Sequence, residues 1–204
     1  MDCERDDQLA MNFDSLLAHK LVKIKNEMHT HSEVIFRLVQ IGNYLGLKSW
    51  IGKREQSADS YGGMRFSDVS LQSLPFKNLT KHQKEKIQQI DVIWFDKLHI
   101  PRYAFEVEET TSINTGIERF ASLLDVEIST ANQLYIVAPK SRERKLATIF
   151  RKESTFIGHP YFMENKVKLI YKEDFEEFYN ERAKEEKSFS EVELQQLAVK
   201  IEVE

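Results

Sequence analysis

A single cysteine, Cys3, stands in 204 residues, so the chain can close no internal disulfide and assemble no cysteine-based metal cluster. That scarcity suits a reducing compartment. No apolar run approaches the ~18 residues of a membrane span. The acidic start, MDCERDDQLA, lacks the basic-then-apolar form of a secretion signal. A cytoplasmic location with no membrane partner is the expectation. Glycine is sparse too, and Gly62-Gly63 lacks the strand, lysine and helix context of a phosphate-cradling loop. Nothing reads as a serine or cysteine nucleophile motif, and no cysteine or distant histidine pair has zinc spacing.

A basic surplus is also missing, since the net charge is −4. Its distribution softens that. Residues 1–13 hold four acids against one base, and residues 173–204 hold eleven acids against four bases, so the body between is net basic. A basic body with acidic ends is compatible with phosphate backbones and equally with ordinary solvated surface.

The length fits one domain with a decoration, and 41% apolar with 30% charged residues is ordinary for a globular protein. We divide the chain into an N-terminal segment and helix (1–28), a main domain (29–172) and an acidic helical extension (173–204). Helical spacing predicts helices over Phe13–Lys25, Thr30–Leu45 and Ser112–Asp125. Gly46 is the stop of the second. Strands are predicted at Leu47–Ile51, Ile90–Phe95, Tyr103–Glu108, Gln133–Ala138 and Val167–Tyr171. Lys53–Gln89 reads as a long polar connection with a short helix near Lys81–Gln89. Ser141–Lys152 is a basic amphipathic helix, Asp174–Lys187 a charged one, and Ser188–Glu204 one more helix through Val192, Leu197 and Ile201. Strands alternating with helices indicate an α/β sheet flanked by helices.

The stretch Ile90–Thr111, IDVIWFDKLHIPRYAFEVEETT, organises the chain. Asp91 interrupts an apolar run. Residues i and i+2 of a strand share a face, so Glu106 and Glu108 project together, away from Phe105 and Val107. A hairpin across Asp96–Arg102 brings Asp91 toward both. Three converging carboxylates repel one another unless a cation sits between them, and oxygen-only ligands suit a hard divalent ion such as Mg²⁺. The alternative is an edge strand bearing surface acids. Asp91 inside so apolar a run weighs against it.

The order helix, three strands, helix, strand, with an acid on the second strand and Glu-x-Glu on the third, resembles the PD-(D/E)XK nuclease superfamily, the restriction-endonuclease-like fold, over roughly residues 29–140. The motifs IDVIW (Ile90–Trp94), FEVE (Phe105–Glu108) and TTSI (Thr110–Ile113), followed by Arg119, are similar to those of a bacterial group of proteins. The superfamily resemblance implies an αβββαβ core and metal-dependent hydrolysis of DNA, of restriction or defence type, with Mg²⁺ or Mn²⁺. It places Asp91 and Glu106 as metal ligands and Glu108 where a lysine is usual. The restriction enzyme BamHI has Glu-x-Glu at this point, so the departure does not exclude catalysis. It keeps open a second reading, a relative without catalysis that binds nucleic acid or a protein partner. Double-strand cutters of this fold commonly pair two active sites, so a homodimer is a further implication.

An added acid from the first helix of the superfamily would be Glu33, which could instead form a surface pair with Arg37, four residues on. Glu108 could orient or deprotonate a water. A lysine from elsewhere, with Lys140 one guess, could supply the missing charge. Arg119 could meet a phosphate through its planar fork or form a salt bridge to one of the glutamates. Thr110 and Thr111 read as helix caps. Lys140, Arg142 and Arg144 on the basic helix either track a phosphate backbone or form a solvated face. His29 and His31 stand two apart, which on a helix turns them different ways; solvent exposure at a helix start is the reading for both.

Overall fold

The computed structural model describes residues 31–58, 60–61, 63–108, 113–126, 133–152, 167–184 and 188–201. The helix expected over Phe13–Lys25 lies outside them, as do His29, Thr110 and Thr111. The protein is an α/β structure, a mixed six-stranded sheet flanked by helices.

Helix α1, His31–Tyr44, is apolar over more than one stripe, and Val34, Ile35, Leu38, Val39 and Ile41 are all fully buried. It stops where expected. Gly46 adopts φ 72°, and the amides of Gly46 and Leu47 bond back to the carbonyls of Asn43 and Gly42, a closure that a left-handed residue permits. Strand β1, Lys48–Ile51, follows.

The segment expected as a polar connection is more structured than its composition suggests. It holds helix α2 (Lys53–Ala58), the short antiparallel pair β2 (Ser60–Tyr61) and β3 (Met64–Arg65), a 3-10 turn at Phe66–Asp68, and helix α3 (Lys81–Ile87). Phe66 explains part of this, since it is a fully buried anchor. Thr80 and Gln83 form a reciprocal capping box that starts α3.

Strands β4 (Val92–Phe95) and β5 (Pro101–Val107) form the antiparallel hairpin. Its tip is tighter than predicted, because Phe95 already pairs with Pro101. Asp96 fastens the turn by accepting the amides of Leu98 and Ile100. Helix α4 (Ile113–Leu124) crosses to β6 (Gln133–Ala138), parallel to β5. A 3-10 turn at Lys140–Arg142 leads into α5 (Glu143–Lys152), and β7 (Val167–Tyr171) lies parallel to β6.

The acidic end supplies α6 (Lys172–Lys184), α7 (Glu191–Leu197) and β8 (Ala198–Lys200). The single helix expected over Ser188–Glu204 is therefore a short helix turning into a strand. Strand β8 pairs antiparallel with β7 at the sheet border, and that pairing outweighs the helical spacing of Leu197 and Ile201. Phe175, Tyr179 and Leu194 of this region join the core.

The sheet order is β1-β4-β5-β6-β7-β8, and its two faces carry separate cores. On one, Trp94, Phe105, Val107, Tyr135 and Val137 meet α1 and α6. On the other, Ile93, Ala104, Leu134 and Ile136 meet α3, α4 and α5 through Ile87, Ile117, Phe120 and Leu146. Each aromatic or aliphatic side chain taken fully out of water adds about 1.5–3 kcal/mol. Buried on both sides, β5 is a central strand.

Candidate metal centre

The strand pairing of β4 and β5 builds the centre. Val92 lies opposite Phe105, so Asp91, one step earlier, meets the chain beside Glu106. Asp91 Oδ2 accepts the amide of Val107 at 2.7 Å, and the Asp91 carbonyl accepts the Gly52 amide at 3.0 Å. The aspartate is thereby pinned from β5 and from the end of β1. The edge-strand alternative for the EVEE run is excluded, because β5 is flanked by β4 and β6. The acids converge at one end of the central strands, not at a lateral border of the sheet.

Glu106 is 1% exposed and points to the α4 side. Gly116 of α4 makes the room, since a Cβ there would lie 3.1 Å from Glu106 Cγ and 3.2 Å from Oε2. Arg119 Nη1 donates to Oε2 at 2.9 Å. Of the two roles open to Arg119, the salt bridge to a glutamate is the one present. Among the described residues, Glu106 Oε1 is buried and has no hydrogen-bond partner. Glu108, also buried, ends the strand, and its amide donates to the Val137 carbonyl.

Electrostatics follow from this crowding. Burial pushes the Asp91 carboxyl up to about 6, with Glu55 adding to the rise and His31, the Val107 amide and Arg119 opposing it. Burial likewise raises Glu106 well above the usual carboxylate range; Asp91 and Glu108 add to that, and Arg119 works against it. Carboxylates this crowded and this buried favour protonation, which relieves the repulsion between them.

Two further side chains stand beside Asp91. His31 Nε2 lies 3.8 Å from Asp91 Oδ1 and 3.9 Å from Glu55 Oε1. One ligand atom from each of the three falls within 4.8 Å of the others. The sequence reading set His31 aside and did not single out Glu55. His31 does begin α1 and is partly exposed, as expected, and the groups beside it come from α2 and the turn before β4. A usable signal was Gly52, whose missing side chain lets Glu55 Oε2 approach within 2.5 Å of the space a Cβ would fill.

The remaining predicted residues lie elsewhere. Glu33 is buried and paired with Arg37 at 2.5 Å, and the Arg37 guanidinium sits 4.7 Å over the Tyr179 ring. The expected surface pair is therefore a buried one. Lys140 Nζ is held by Asp174 at 2.6 Å, which raises its pKa further, and lies 5.5 Å over the ring of Tyr171. Arg142 is half-buried in the turn before α5, and Arg144 is exposed on its first turn.

The residues at Asp91 fit a divalent cation. They offer oxygen ligands of suitable hardness and, at Glu106, a buried carboxylate oxygen with no hydrogen-bond partner among the described residues. Fold and centre together define an α/β protein with a candidate cation site at one end of its central strands.

Comparison with known proteins adds the family. The family model described as the C-terminal domain of the type II restriction enzyme NmeDI matches residues 15–197, so the chain belongs to that family. A curated relative, the type II restriction enzyme NmeDI of Neisseria meningitidis serogroup C, is 27% identical over 119 residues. That match covers 56% of this chain and 34% of the relative, so the chain spans about a third of the protein it matches. No solved structure matches. No helix among the described residues is long and apolar enough to cross a membrane.

Proposed function

We propose that this chain is the phosphodiester-cleaving part of a metal-dependent DNA endonuclease of the PD-(D/E)XK type, acting in restriction or a related defence. The carrying observation is the meeting of Asp91 with Glu106, two buried carboxylates raised by burial and crowding, beside Glu108. A type II restriction enzyme among the relatives supports the choice of DNA as substrate.

Asp91 and Glu106 hold the cation, Mg²⁺ or Mn²⁺, with Glu33 assigned at most a supporting place because Arg37 already engages it. A cation bound there would supply polarisation of a phosphate oxygen and a more acidic water. Glu108 would orient that water and take its proton. Arg119, anchored through Nη1 to Glu106, has further N–H groups that can meet a phosphate oxygen. Lys140, Arg142 and Arg144 lie along the turn into α5 and are assigned to the DNA backbone. Two copies acting together would cut both strands, and a cytoplasmic setting completes the proposal.

A cleavage screen on DNA substrates with MgCl₂ and MnCl₂, run beside Asp91→Ala, tests this. Divalent-dependent cutting by the wild type is expected, with a loss on the order of 10³-fold in the variant. A specific feature keeps a second reading in play. Glu108 stands where an ammonium is usual, and the ammonium of Lys140 is held by Asp174. A protein that binds the ion through Asp91 and cuts neither DNA nor RNA is then a non-catalytic relative that binds nucleic acid or a protein partner.

A further inference from the structure

Hydrogen bonds between nitrogen and oxygen close at about 2.7–3.2 Å. The 3.8 Å and 3.9 Å separations from His31 Nε2 to Asp91 and Glu55 are too long for that. Two donor atoms that each sit about 2.0–2.2 Å from one ion are themselves roughly 3–4 Å apart. The His31 separations are those of ion pairs when the imidazole is protonated, and they are equally spacings that two ligands of one ion adopt.

The surroundings agree. Glu55 reaches this position only because residue 52 is glycine: a Cβ there would stand 2.5 Å from Glu55 Oε2 and 3.1 Å from the Ile90 carbonyl oxygen. The Gly52 amide also bonds the Asp91 carbonyl, so one backbone position seats two of the three groups. On the β5 side of Asp91, the buried Oε1 of Glu106 has no hydrogen-bond partner among the described residues. Arg119 donates to Oε2. His31 keeps part of its surface open to solvent, which gives an ion an entry path.

We propose that His31 and Glu55 complete the Asp91 ion site as ligands, and that the imidazole makes the site favour a first-row transition ion such as Mn²⁺ over Mg²⁺. Imidazole is a poor ligand for hard Mg²⁺ and a good one for the first-row transition ions. The inference rests on the reading of Asp91 as a metal ligand given above, and it adds the source of the metal preference.

Calorimetric titration of the full chain with MnCl₂ and with MgCl₂ tests it, together with a long-range proton–nitrogen spectrum of the histidines during titration with ZnCl₂. The wild type is expected to bind Mn²⁺ at least tenfold more tightly than Mg²⁺. His31→Ala is expected to lower Mn²⁺ affinity tenfold or more and Mg²⁺ affinity less than threefold. Glu55→Gln is expected to weaken both ions. One histidine Nε2 resonance should shift with Zn²⁺ in the wild type and stay still in Asp91→Ala. That spectrum decides the matter even if His31→Ala fails to fold. Ion binding that vanishes in Asp91→Ala but is unchanged in a folded His31→Ala overturns the ligand assignment and leaves the Asp91 reading standing. A wild type that binds neither ion overturns both.

Discussion

Two glutamate–arginine pairs, one on each face of the sheet, have the same chemistry and different neighbours. Glu33 and Arg37 sit one helical turn apart on α1, and the guanidinium stacks over Tyr179 of α6. Among the described residues, Arg37 Nη1 is buried without a hydrogen-bond partner, so this pair too leaves one polar atom unmet. Glu106 and Arg119 join β5 to α4, but Asp91 and Glu108 crowd the same glutamate and raise it. An oxygen of Glu106 likewise has no hydrogen-bond partner among the described residues. The difference between the pairs is crowding: Asp91 and Glu108 raise Glu106, whereas the guanidinium of Arg37 lies against the ring of Tyr179.

The sharpest way to break that contrast is to neutralise Glu106. In Glu106→Gln, divalent-dependent DNA cleavage is expected to fall on the order of 10³-fold while the fold is kept, since a like-charge repulsion goes with the carboxylate. A rate unchanged in this variant would put the chemistry elsewhere. On the other face, Arg37→Ala should cost about 3–5 kcal/mol in denaturant unfolding, because it strands a buried carboxylate. Metal affinity per folded molecule should stay within twofold. Equal stability losses from the two substitutions would erase the distinction drawn here.

Protons report the same crowding. Asp91 is raised from 3.8 to about 6 in the folded protein, so the native state binds the proton more tightly than the unfolded chain does. Its contribution is present in full below the unfolded value near 4 and is lost as pH rises through about 6. The metal-free protein should therefore lose up to ~3 kcal/mol from this group across that window, at about 1.4 kcal/mol per unit. Denaturant melts at pH 4.5 and pH 7, compared with Asp91→Asn, isolate the effect. The variant should show a flatter profile, and MnCl₂ should restore stability to the wild type at pH 7 but not to Asp91→Asn.

Much of this was legible in the residues. Gln133–Ala138 and Val167–Tyr171 are bounded as the sequence suggested, because each is a short apolar run with nothing helical in it. Asp91 stood out as an acid inside such a run, and the hairpin that brings it to Glu106 follows from the spacing of two strands. Strand β8 was hidden, since Ala198–Lys200 is a strand only through its pairing with β7. His31 and Glu55 were hidden for a related reason. Their approach to Asp91 depends on how α1 and α2 pack and on the bare backbone at Gly52, none of which leaves a periodic mark. The environment of Glu33 was equally closed to inspection, because Tyr179 comes from the far end of the chain.

Two helical glycines give the finest probe of the contrast. A Cβ at Gly42 of α1 would stand 2.6 Å from Trp94 Nε1 and 2.9 Å from two ring carbons, and that ring is fully buried in the core. A rigid neighbour cannot yield, so Gly42→Ala should cost about 1–3 kcal/mol from overpacking, partly offset by up to ~1 kcal/mol of helix propensity. Metal binding should not change. A Cβ at Gly116 of α4 has the Glu106 side chain as its nearest neighbour, at 3.1–3.3 Å. A side chain that can shift by a few tenths of an ångström absorbs this contact, so Gly116→Ala should alter stability by under ~1 kcal/mol, with propensity and crowding nearly cancelling. The displaced atom, however, belongs to the carboxylate proposed as an ion ligand. Gly116→Ala should therefore weaken Mn²⁺ binding several-fold in calorimetry at almost constant stability, the reverse of Gly42→Ala. Were both glycines to act on stability alone, Glu106 would be one more buried acid in the core and the asymmetry between the two faces would have no functional meaning.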